Sequence, residues 1–193
     1  MVDQPVTYRS SGLAQETGVS GIVYHIMGIN GATCASFSTP ENLHAVAGLD
    51  PDLIIVSFGT NEAHGRNYSA EEHRRQLTSF FTELKNRCPH AAFLLTTPPG
   101  AYMRSGRRGK TINTRTPRVV ETEKRFAADN GLALWDLYDI AGGQERACRN
   151  WTAANMFQRD RIHFTQEGYV LQGLLLHEAF IKAYNDYVAT KLD

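Results

Sequence analysis

The order of apolar runs along the chain predicts an α/β fold: a three-layer α/β/α sandwich around a parallel sheet. Two observations carry this expectation. "DLIIVSFG" (52–59) and "AAFLLTT" (91–97) are continuous apolar runs of the kind a strand covered on both faces requires. Amphipathic helical stretches separate such runs in a strand, helix, strand, helix rhythm, which argues parallel pairing through helical crossovers.

Each element has its own local warrant. "GIVYHIMGI" (21–29) is β-branched and aromatic and reads as a strand. "TPENLHAVAGL" (39–49) reads as a short helix, with Thr39 as cap and Pro40 at its first position. "SAEEHRRQLTSFFTELKNR" opens with Ser69 and Glu72 at the spacing of a capping box, and Leu77, Phe80, Phe81 and Leu84 recur at helical intervals. The loop 98–114 is rich in glycine and arginine. "TPRVVETEKRFAADNG" repeats the helix grammar, with Thr116 as cap, Pro117 next and Gly131 as a stop. "LALWD" (132–136) is a further strand. A last helix is expected from Thr165 to about Ala189, carrying Val170, Leu174, Leu175, Phe180 and Tyr184. Residues 1–20 fit the rhythm poorly. They are expected to be a tail or the remnant of a preceding or inserted domain, with one domain over 21–193.

Composition excludes several function classes. Lys plus Arg and Asp plus Glu are both 20, so nothing points to nucleic acid as a partner. No apolar run is long enough to span a bilayer, and "MVDQPVTYRSSG" does not read as a signal peptide. Cys34, Cys88 and Cys148 show no metal-type spacing and no disulfide framework.

In such folds chemistry gathers at the carboxyl ends of the strands. "GTNE" follows one apolar strand. There Asn61 could aim a neutral amide donor at a developing oxyanion, and the Gly31 N–H in "INGAT" could be a second donor at the same edge. Either motif alone also reads as an ordinary turn. Late in the chain, "DRIHFTQEGY" sets Asp160 and His163 three residues apart before the last helix. That spacing lets a carboxylate fold back onto an imidazole, or simply makes a cap beside an exposed histidine.

Taken together and in this order, "NGAT", "GTNE" and Asp-x-x-His resemble the SGNH (GDSL-like) hydrolase superfamily of esterases and lipases, over roughly residues 21–189. The resemblance implies a flavodoxin-like fold in which His163 is the general base, Asp160 orients it, and Gly31 and Asn61 form the oxyanion hole. Many members have Asp where this chain has Glu62. "GINGAT", "TTPPG", "WDLYDIAGG" and "DRIHFTQEGYVLQG" are most similar to esterases that remove O-acetyl groups from peptidoglycan or other polysaccharides. This implies an acylated carbohydrate or small ester as substrate, no cofactor or metal, and a periplasmic or extracellular setting for the full-length protein.

One part of the family pattern is missing. The nucleophile sits in a Gly-Asp-Ser motif after the first strand, and no Gly-Asp-Ser occurs in these 193 residues. Ser10, Ser11 and Ser20 precede Gly31 without that lead-in. The expectation is therefore a carboxyl-terminal part of a longer esterase, lacking the first strand and inactive alone. Three alternatives stand beside it: a non-catalytic carbohydrate-binding protein of the same fold, a phosphate-binding flavodoxin-like protein, and a thiol enzyme using Cys34.

Other residues invite shorter readings. Arg104, Arg107, Arg108 and Lys110 form a basic loop that either contacts an acidic glycan or is merely solvated. Trp151 either stacks on a sugar ring or packs between helices. Glu62 is expected to brace the turn that presents Asn61, and His25 to be a core residue.

Overall fold

The structure, a computed structural model, describes residues 9–13, 22–106 and 109–192. Strands β1 (Arg9–Leu13) and β2 (Ile22–Ile26) are followed by helices α1 (Cys34–Phe37) and α2 (Pro40–Ala47), then by β3 (Leu53–Ser57), α3 (Thr60–His64), α4 (Ala70–Arg87) and β4 (Ala92–Thr96). A hairpin of β5 (Tyr102–Arg104) and β6 (Lys110–Ile112) leads to α5 (Thr116–Asp129), β7 (Ala133–Trp135), α6 (Leu137–Ile140), α7 (Gln144–Ala153) and α8 (Gln166–Leu192).

The core sheet is parallel, in the order β3-β4-β7, with Leu53 opposite Ala92 and Leu94 opposite Ala133. Side chains on a strand alternate between faces, and here the alternation separates two cores. Val56 and Leu95 join Leu77, Phe81 and Leu84 of α4 and Phe126 of α5 on one side. Leu94 and Trp135 join Tyr138, Trp151 and Phe164 on the other, where Leu171, Leu175 and Leu176 of α8 pack. Helices thus cover both faces, as the apolar runs of β3 and β4 require.

Local chemistry explains where the helices begin. Thr39 Oγ1 accepts the Asn42 N–H and Pro40 starts α2. Ser69 Oγ accepts the Glu72 N–H. The return half of that capping box does not form, because the Glu72 carboxylate is engaged by Gln76 and Arg75. Thr116 is not a cap: it is the first residue of α5, whose N-cap is Arg115.

Four further expectations are corrected. The run 21–29 yields β2, but β2 pairs antiparallel with β1 in a separate two-stranded ribbon. An apolar run alone does not specify its partner. His25, on that ribbon, is exposed rather than in the core. The loop 98–114 contains the β5–β6 hairpin. In α8, Leu175 packs as expected, but Val170, Leu174, Phe180 and Tyr184 are exposed, and the rest of the packed stripe is Leu171, Leu176 and Ala179. Because this helix is apolar on more than one face, its periodicity does not single out the buried stripe.

Candidate active site

The Asp160–His163 turn is anchored before it is polar. Phe164 is buried against Trp151, Phe157 and Tyr169, and Phe157 and Phe164 form an isolated antiparallel bridge. The Gln158 N–H donates to the His163 carbonyl at 2.9 Å and the Arg161 N–H to the Gln158 carbonyl at 2.9 Å, with Arg161 at φ 55°. The chain is thereby folded tightly enough for Asp160 to reach its third neighbour.

Asp160 uses both carboxylate oxygens. Oδ1 accepts the Ile162 and His163 N–H groups at 2.8 and 2.9 Å, and Oδ2 lies 2.7 Å from His163 Nδ1. Partial burial by itself would raise the Asp160 pKa. The bonds from the His163 ring and from the two backbone N–H groups outweigh it and hold the carboxyl at about 2. With Nδ1 donating to this carboxylate, His163 Nε2 is left as the acceptor, and the ring is about half exposed.

The second half of the site lies at the end of β3. Gly59 adopts φ 100°, which only glycine takes without strain, and an added Cβ would meet Glu123 Oε1 at 2.7 Å and Pro98 at 2.9 Å. Glu62 clasps two loops at once: Oε2 accepts the Gly59 N–H at 2.8 Å and Oε1 accepts the Cys34 N–H at 2.6 Å. The brace expected of Glu62 thus reaches beyond its own turn. Asn61 Nδ2 donates to the Ala32 carbonyl at 2.7 Å, so one amide hydrogen fixes the side chain and the other has no partner among the described residues. The neighbouring Gly31 sits at φ 74°, exposed, and its N–H makes no hydrogen bond among the described residues. Asn61, in α3, and Gly31, on the loop before α1, therefore stand on adjoining segments that are tied together twice.

Sequence comparison decides what this arrangement belongs to. Residues 3–171 match the GDSL-like lipase/acylhydrolase family. The chain is a member of that family. Solved structures agree on the fold. A peptidoglycan O-acetylesterase is 24% identical with a TM-score of 0.73, covering 83% of this chain and 46% of its own. An acetyl xylan esterase is 18% identical with a TM-score of 0.62, over 79% and 78% of the two chains. A GDSL-like lipase from Bacteroides thetaiotaomicron is 20% identical with a TM-score of 0.57, over 79% and 73%. The chain thus spans less than half the length of the first of these. Comparison with curated protein sequences returns no match.

In this GDSL-like chain the two halves of the site are joined through Tyr102, which the sequence reading did not single out. His64 Nδ1 lies 2.7 Å from the Thr60 carbonyl and its Nε2 3.2 Å from the Tyr102 carbonyl. The Tyr102 N–H donates to the Arg161 carbonyl at 2.9 Å, and the Arg161 guanidinium lies over the Tyr102 ring at 5.0 Å. One residue of β5, through its N–H and its C=O, therefore links the helix of Asn61 to the turn of Asp160 and His163. Its only sequence signal was position, shortly after the strand end "TTPPG". Arg104 is exposed on the same strand.

Two readings do not survive the geometry. Trp151 is 4% exposed, packs edge-on against Phe164 at 5.2 Å and donates Nε1–H to the Pro99 carbonyl at 3.0 Å, so its ring offers no face to a sugar. Cys34 is fully buried, and burial first, then the charge of Glu62, pushes its thiol up to about 12, far from a ready thiolate. Ser10 and Ser11 lie in β1, and Ser20 lies outside the described residues. Among the described residues no group of three His, Cys, Asp or Glu side chains is placed to hold a metal ion, and no helix is long and apolar enough to cross a membrane.

Buried behind Gly59 is a second acid the sequence reading missed. Glu123 is 0% exposed and lies 3.4 Å from His73 Nε2. Burial, then repulsion from Glu62 and Asp136, raises the Glu123 pKa well above the usual carboxylate range, and burial lowers that of His73. Burial thus favours the neutral form of each group, the cheaper state for an enclosed pair.

Proposed function

We propose that this chain supplies the general base and the oxyanion hole of a serine esterase that removes O-acetyl groups from a polysaccharide or peptidoglycan, acting outside the cytoplasm. The reading rests above all on the Asp160–His163 contact at 2.7 Å, which leaves Nε2 of a half-exposed ring as a proton acceptor. The nucleophile is assigned to a serine on a segment outside this chain, since none of its own serines has the Gly-Asp lead-in. The acetylated-glycan substrate follows the activities of the peptidoglycan and xylan esterases that share the fold.

In this scheme the serine hydroxyl attacks the ester carbonyl and gives its proton to His163 Nε2. Asp160, ionised throughout, stabilises the imidazolium. Charge builds on the carbonyl oxygen, which receives the free Asn61 amide hydrogen and the unpaired Gly31 N–H. Each such donor is typically worth about 3–4 kcal/mol in the transition state. The intermediate collapses, the sugar alcohol leaves with the proton from His163, and water repeats the cycle on the acyl-enzyme to release acetate. The test is acetate release from an acetylated glycan by this chain alone and by a protein that also carries the nucleophile segment. The first should be inactive and the second active. A complete protein that binds glycan yet releases no acetate at any pH would instead make this a carbohydrate-binding relative without catalysis, the second reading that a chain without Gly-Asp-Ser allows.

A further inference from the structure

We propose that Arg104, Lys110, Arg159 and Arg161 form an anion-binding rim beside His163, which selects acylated glycans carrying a carboxylate near the ester. The inference deepens the esterase reading by naming a substrate class, and it rests on that reading for the ester itself.

The rim is built by two elements that meet. In the hairpin, Arg104 stands directly opposite Lys110 in the strand register. Like charges opposed in this way destabilise a strand pair unless an anion lies near them. Lys110 Nζ reaches across to the Arg159 carbonyl, which ties the hairpin to the residue preceding Asp160. Arg161 is turned onto the Tyr102 ring, and the Tyr102 N–H holds the Arg161 carbonyl. Cations from both elements therefore border the Asp160–His163 pair, and all four are exposed.

Among the described residues none of these four cations forms an ion pair with an acid. Asp160, the acid in this stretch of chain, has both oxygens committed to the Ile162 and His163 N–H groups and to the His163 ring. Several exposed cations elsewhere in the molecule are matched to acids, as in Arg74–Asp129, Lys124–Asp136 and Lys182–Asp186. Arg104 and Arg159 have no such partner among the described residues. In a chain whose formal charge is zero, a concentration of unpaired cations at one edge of the site focuses a positive potential there. Guanidinium groups match a carboxylate's two oxygens, so a carboxylate fits this rim better than a neutral sugar. That carboxylate would sit either on the ring of a uronic acid or on the ether side chain of a muramyl residue.

Calorimetric binding to this chain tests the proposal with three probes: an oligogalacturonate, an unacetylated muramyl glycan and a neutral cello-oligosaccharide. At least one anionic glycan should bind about tenfold or more tightly than the neutral one, with affinity falling as salt rises. Which of the two binds assigns the source of the carboxylate. Arg104→Gln combined with Arg159→Gln should weaken that binding about tenfold or more, the scale of one lost hydrogen bond to a charged group. Neither side chain holds the fold, so the thermal midpoint should not move, and Lys110→Gln is a further variant that removes charge from the opposite strand. Equal affinity for the neutral oligosaccharide, or unchanged anionic binding in the charge variants, would overturn the rim. Because the assay reads binding, a failure to release acetate would count against the esterase reading alone.

Discussion

Glu62 accepts the peptide N–H of Cys34 at 2.6 Å across 28 positions of sequence, while its other oxygen accepts the Gly59 N–H at 2.8 Å. A single buried carboxylate thus sets the distance between the loop that carries Gly31 and the turn that carries Asn61. A glutamine at position 62 has only one acceptor oxygen, so it can satisfy only one of the two N–H groups. Glu62→Gln is expected to destabilise the protein by about 1.5–3 kcal/mol, the cost of losing a charge-assisted hydrogen bond. In a complete enzyme it should lower kcat more than it changes KM. Denaturant unfolding and steady-state kinetics check the two parts.

Gly59 has no room for a side chain. Its φ of 100° and the approach of Glu123 Oε1 and Pro98 within 3 Å of an added Cβ make Gly59→Ala costly on two counts. A loss of about 1–3 kcal/mol is expected, together with displacement of Asn61. The amide signals of Asn61 and Ala32 in a heteronuclear NMR spectrum should shift together, since their hydrogen bond joins the two loops.

The buried Glu123–His73 pair gives a pH signature. Glu123 has a raised pKa in the folded state, so its contribution is fully present below the ordinary carboxylate range and is lost as pH rises toward the folded value. Glu123→Gln, which cannot ionise, should therefore become more stable relative to the unmodified protein as pH rises from 4 to 8. Thermal midpoints of both proteins across that range measure the difference. A constant difference would mean that folding does not raise the Glu123 pKa. Asp160 has the opposite sign. Its lowered pKa means that its bonds stabilise the turn above the ordinary range and fail only as pH falls toward 2. The acid limb of any activity should accordingly not come from Asp160.

Trp151 illustrates how the sequence was ambiguous. An aromatic residue near a predicted sugar site invites a stacking role, and only the packing shows its edge against Phe164 and its N–H on Pro99. The parallel sheet, the helices α2, α4 and α5 and the Asp160–His163 spacing were legible because each depends on local pattern: an unbroken apolar run, a cap, a three-residue offset. The partner of β2, the packed stripe of α8, and the Tyr102 link depend on contacts between distant segments. Short elements such as α3 and α6 have too few residues to show a period.

The most direct measurement of the central claim is a pair of kinetic parameters in a protein that joins this chain to its nucleophile segment. His163→Ala and Asn61→Ala should each lower kcat for acetyl ester hydrolysis, the asparagine change by roughly 10²–10³-fold, with KM nearly unchanged. Both groups act on charge that exists only while the carbonyl is attacked. If either variant instead kept its kcat and lost only affinity, that residue would be a binding group, and the assignment of base and oxyanion hole would be contradicted.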